Sequence, residues 1–197
     1  MYATQRTLWT VVTAVLLLGA LSPLGADDRA QAKADKAREK QAKDVAVLEE
    51  KVPPAIDALV RRDSTLQRLF DGSAGYVVFP HIGKAGFVFG GAHGKGLVYE
   101  DGQLVGLASM TQATVGAQIG GQVYREVIFF ETKDALLTFK QSRVELSAQA
   151  TAVAAAEGAA ADARYSEGVI IYTDPIKGLM AEASVGGQKF RYTPLDQ

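Results

Sequence analysis

The chain contains no cysteine. Disulfides and thiolate metal sites are therefore excluded, and an exported domain of this size must rely on its core alone. Histidine is nearly as scarce: His81 and His93 are the only two in 197 residues. They lack helical i, i+4 spacing, so no metal and no cofactor is expected. An excess of charge of one sign is also missing. The 21 basic and 22 acidic residues leave a net charge of −1, which argues against nucleic acid as a partner and requires any anionic partner to be met by a local patch. Catalytic motifs are absent too. The run Gly90 to Gly96 departs from a Walker loop at both ends, with Phe89 where glycine is required and Gly96 where Ser or Thr is required, and it has no GxGxxG order. Ser184 follows Glu182-Ala183 rather than the Gly-x of a nucleophile elbow. Glu126 and Glu131, near a strand end, read as solvent-facing. The expectation is a non-enzymatic protein with no catalytic residue; a hydrolase acting on lipid or cell-wall material stands as the third reading.

The one long hydrophobic run is Leu8 to Leu21, preceded by a single charge, Arg6, and followed by Ser22-Pro23, Leu24-Gly25-Ala26 and the acidic pair Asp27-Asp28. This pattern predicts a signal peptide over 1–26, cleaved near Ala26, and a periplasmic or secreted mature protein. The run is shorter than the ~20 residues a spanning helix needs, which disfavours the alternative of a membrane anchor. Loss of Arg6 takes the net charge from −1 to −2.

Residues 27–52 are rich in Ala, Lys, Asp, Glu and Gln and contain no glycine, which predicts an N-terminal helix. Arg29, Lys33, Lys36, Lys40 and Lys43 fall on one stripe and Ala30, Ala34, Ala37, Val45, Leu48 and Val52 on another. Such a helix is either a solvated spacer or docking helix, or one that lies on an anionic membrane surface. Pro53-Pro54 predicts an interruption. Two short helices are expected next, one over 55–62 and one from Ser64 to Gly72 with Gln67 as capping-box partner.

From Gly75 to Gly96, runs of Val, Phe and Tyr are cut by glycine too often for a helix. Phe87 and Phe89 share one face, while Gly86, Val88 and Gly90 leave the other almost bare. Glycines inside strands mark bends or a close-approaching ligand, so both a curved sheet and a ligand groove are open readings. Asp101-Gly102 predicts a tight hairpin. Val115 to Glu131 reads as one bent strand or two, Thr132 caps a helix to about Gln141, 144–157 reads as strand, and 166–173 and 179–192 are strands about a turn at Asp174-Pro175. The doublets Gly90-Gly91, Gly120-Gly121 and Gly186-Gly187 each follow an apolar strand residue, which predicts three strands bending at one level. The fold class is therefore α+β: a strongly curved, glycine-bent antiparallel sheet resembling a half-barrel, with short covering helices and an N-terminal helix.

The ordered motifs GYVVFP (75–80), IGKAGF (82–87), GKG (94–96), QATVGAQIGG (112–121) and GGQKF (186–190) closely resemble the SYLF family of lipid-binding domains, over residues 53–197. The form with a leader and no appended module is similar to the bacterial secreted branch. The resemblance implies binding to acidic membrane lipids, phosphoinositides in eukaryotic relatives, some of which also bind actin. An exported bacterial protein meets neither actin nor, ordinarily, phosphoinositides, so an anionic phospholipid or membrane surface is the partner implied. Lys84, Lys95, Lys189 and Arg191 lie within the matched motifs and are the candidate headgroup contacts. The alternative is an envelope protein-interaction or scaffold module.

Overall fold

The computed structural model describes residues 24–141, 145–147, 152–154 and 163–195. The leader expected over 1–26 and most of the strand expected over 144–157 lie outside these residues. The chain divides into two compact units, one ending at Arg38 and the other beginning at Glu39. In the first, the described residues are helical, and from Asp28 onward all are exposed.

Helix α1 spans Leu24–Arg62 and passes through Pro53 and Pro54 without a break. The expected interruption is thus corrected. A proline inside a helix costs about 3 kcal/mol, but the same stretch buries Leu48, Val52, Ala55 and Leu59. Each fully buried Val or Leu contributes about 1.5–3 kcal/mol, which is enough to hold the helix on the sheet through both prolines. Helix α2, Leu66–Gly72, follows at once. The expected capping box is not what starts it: Gln67 Nε2 donates to Asp71, and buried Asp63 accepts instead from Thr65 N at 3.0 Å and Thr65 Oγ1 at 2.5 Å.

Strands β1 (Gly75–Glu100) and β2 (Gln103–Phe130) form one very long hairpin across Asp101-Gly102. Both turn residues have positive φ, 48° and 76°, as a tight hairpin turn demands. The next element is α3, Lys133–Lys140, whose cap Thr132 accepts a hydrogen bond from Ala135 N through Oγ1 at 3.2 Å. β5, Val169–Pro194, pairs antiparallel with β2 from Gly106 to Phe130. Asp174-Pro175 is not a turn but lies inside β5, where the register skips between Val123 and Tyr124 and leaves Ile176 unpaired. Two three-residue strands, β3 (Glu145–Ser147, antiparallel) and β4 (Ala152–Ala154, parallel), line the other edge of β5. The sheet order is β1-β2-β5-β3, with β4 also on β5.

A straight 26-residue strand would extend roughly 85 Å; β1 instead doubles back. A Cβ placed on Gly75 would sit 2.5 Å from the Tyr99 carbonyl oxygen, and one on Gly96 would sit 2.4 Å from that of Val78. The two halves of β1 therefore lie against each other, and glycine is required at these crossings. Doubling the sheet encloses an inner core of Val77, Phe79, Ile82, Met110, Ile128, Phe130 and Phe190, closed by Leu136 and Phe139 of α3. The outer face carries Val78, Leu97, Val127, Phe129 and Tyr172, covered by α1 and α2. Both faces are thus buried here, which is why Val77-Val78 and Phe129-Phe130 are consecutive apolar pairs rather than alternations.

Candidate functional site

Among the described residues, only the bent end of the doubled sheet leaves large apolar side chains in solvent in quantity. Phe87 is 70% exposed and Phe89 71%, and across the hairpin from them Ile119 is 59% and Val115 53% exposed. Cross-strand partners share a face, so these four side chains form one apolar cap on the convex side. The concave side at the same level carries Gly86, Gly90 and Gly120, which have no side chain to crowd the fold. Val88, between the two phenylalanines, has φ of +66°, a strained conformation for a β-branched residue. Contiguous exposed apolar surface of this kind marks an interaction site.

The glycine doublets are not at one level, and that expectation is corrected. Gly90-Gly91 and Gly186-Gly187 flank Thr114-Ala113 in register, whereas Gly120-Gly121 pair with Gly86-Ala85 on the opposite limb of the bend. The reason is that a doubled ribbon needs two flexures, one on each side of its apex. Between the limbs lies an open cavity of about 690 Å³, bounded by Gly83–Ala85 and Gly91–His93 of β1, Thr111-Gln112 and Gly121–Val123 of β2, and Lys177-Gly178 of β5. Its wall is mainly apolar, with Lys84, His93 and Lys177 contributing cationic or titratable groups. At Gly178 φ is +99° and a Cβ would meet the Gly121 carbonyl oxygen at 2.2 Å, so a side chain there would close this junction.

The sequence-predicted cations are only partly brought together. Lys84 borders the cavity. Lys95 and Arg191 both pair with Ser109, and Lys189 pairs with Thr111 one step along, so these three share a separate face of the sheet. Lys95 is held by Asp44 of α1 at 2.5 Å. On α1 itself Arg29, Lys33, Lys36, Lys40 and Lys43 are all exposed, with Lys43 bound to Glu39 at 2.7 Å. The sequence reading missed Lys177 and the outward display of Phe87 and Phe89; the available signal was the aromatic pair set among glycines.

Glu126 overturns its expected solvent exposure. It is fully buried between the limbs, its Oε2 accepts from Gln188 Nε2 at 3.0 Å, and its Oε1 has no hydrogen-bond partner. Burial pushes its carboxyl from 4.5 up to about 7, against the opposing effect of the Gln188 bond. Glu131 is exposed as expected. Among the described residues no group of three or more His, Asp or Glu could hold a metal, and no helix is long and apolar enough to cross a membrane.

Residues 111–193 match a family model described as "Ysc84: Las17-binding protein actin regulator". The chain is also similar to "Beta cell expansion factor A" of Aeromonas veronii, 30% identical over 138 residues, which are 69% of this chain and 52% of that protein. It thus spans about half the length of that curated relative. The matched region contains both flexures of β2, the β5 bulge and the terminal GGQKF motif, which the pairing of β2 with β5 sets on the two limbs of the bend. Across residues 111–193 the chain carries a domain of the SYLF (Ysc84) family, a family of binding domains associated with lipids.

Proposed function

We propose that this protein is a non-enzymatic binder of anionic membrane lipids in the bacterial envelope, acting as a periplasmic or secreted protein after loss of residues 1–26. The observation that carries this reading is the exposed apolar cap of Phe87, Phe89, Val115 and Ile119 beside an apolar cavity bordered by Lys84 and Lys177. An apolar tip with flanking cations suits an anionic interface, where each near-surface cation contributes about 1 kcal/mol. Family membership supports lipid as the ligand.

The test is co-sedimentation with vesicles of phosphatidylglycerol and of phosphatidylcholine. Burying a phenylalanine contributes up to about 3 kcal/mol; at roughly 70% exposure the pair has on the order of 3 kcal/mol to gain, or about 100-fold in partitioning. F87S/F89S should therefore lose most binding to phosphatidylglycerol vesicles while keeping its fold. Equal sedimentation of wild type with both vesicle types, or of variant and wild type, would defeat the proposal. A protein-binding scaffold is the second reading, supported by the family description, which names a protein partner and actin. Cross-linking in cells that yields one stoichiometric protein partner, together with no vesicle binding, would favour it.

A further inference from the structure

A second recess lies beside the apolar cavity between the limbs, which forms a trough. The last turn of α1 supplies Arg61 and Arg62, β2 supplies Arg125, and the β5 bulge supplies Asp174, Pro175 and Ile176, around a cleft of about 350 Å³. Among these lining residues Asp174 is the sole carboxylate, and Arg125 already pairs with it. The two exposed guanidiniums of Arg61 and Arg62 are left to set the sign of the cleft, and they outweigh the unfavourable negative end of the helix dipole. More positive charge gathers on this side: partial burial first, and then Lys51, Arg125 and Lys177, hold His81 below its ordinary 6.5. Guanidinium forks match phosphate oxygens two at a time, which a lysine cannot do.

We propose that this arginine cleft is an anion site for a phosphate group. Ile176 lines the cleft and the adjacent Lys177 lines the trough, so one amphiphile can place its phosphate in the cleft and its chain in the trough. That pairing rests on the lipid reading; the anion site itself does not. The residues involved are far apart in sequence, and Arg61 and Arg62 lie outside the matched residues 111–193.

The experiment uses the purified chain and two probes, inorganic phosphate by titration calorimetry and vesicles of phosphatidic acid in phosphatidylcholine. Arg61→Gln with Arg62→Gln removes two exposed side chains and leaves the Arg125–Asp174 pair intact. K36Q/K40Q makes the same charge change elsewhere on α1 and serves as control in the phosphate arm. At least tenfold weaker binding of both probes by R61Q/R62Q, with the control near wild type, supports a lipid phosphate in the cleft. A tenfold loss for phosphate alone supports the anion site with a free phosphate as its ligand. The same loss in a protein that binds no vesicles at all also supports the anion site, while removing the lipid function. Unchanged binding of both probes by R61Q/R62Q, or equal loss in R61Q/R62Q and the control, overturns the site, even if F87S/F89S releases vesicles.

Discussion

The buried carboxyl of Glu126 makes the stability of this fold depend on pH in a direction opposite to that of most acidic residues. Its proton is held in the folded state up to about pH 7, against an ordinary value of 4.5, because burial disfavours the charged form. Below pH 4.5 the group is protonated in both states and has no effect. Between 4.5 and 7 the unfolded chain releases a proton that the folded chain keeps, so stability falls as pH rises, by up to about 1.4 kcal/mol per pH unit. Above 7 the loss is complete and amounts to about 3 kcal/mol. Glu126→Gln removes the charge while its amide oxygen can still accept from Gln188. Urea unfolding of both proteins at pH 4.5, 6 and 8 should give similar stabilities at the lowest pH and a variant more stable by about 3 kcal/mol at the highest, or roughly 6–12 °C in Tm. His81, whose pKa is lowered, changes stability in the opposite sense below pH 6.5, and the difference between the two proteins cancels it. A difference between variant and wild type that stays constant from pH 4.5 to 8 would refute the reasoning.

Three further outcomes follow from the packing. Arg125→Ala leaves Asp174, 3% exposed, as an unpaired buried charge, and chemical denaturation should show a loss of about 3–5 kcal/mol. Gly96→Ala forces a Cβ onto the Val78 carbonyl oxygen and the Phe79 ring; it should cost more than about 2 kcal/mol in the same assay, while Gly72→Ala, with open space around it, should cost little. Thr132→Ala removes the cap on Ala135 N, and thermal unfolding should report a loss of about 1 kcal/mol.

Local chemistry was a good guide where the answer was local. Asp101-Gly102 is a hairpin because few other dipeptides accept two positive φ values, and Thr132 caps α3 through an atom three residues away. Of the apolar stripe Ala30, Ala34, Ala37, Val45, Leu48 and Val52, the structure buries Leu48 and Val52 and leaves the three alanines exposed. Pro53-Pro54 misled because local propensity was set against a burial that no short window reveals. Glu126 misled because alternation says that two faces of a strand differ without saying that both will be covered.

By itself, then, the sequence determined that glycine-punctuated β-structure would bend, where its tightest turn would fall, and which family its motifs follow, since all of these depend on residues close together along the chain. The tertiary structure alone decided that the ribbon doubles over with its flexures at two levels, that Phe87 and Phe89 face water, that Glu126 does not, and that Arg61, Arg62 and Arg125 converge. Each of these depends on which distant segment comes to lie against a given face, and that is settled by the burial of both sides of a folded sheet at once.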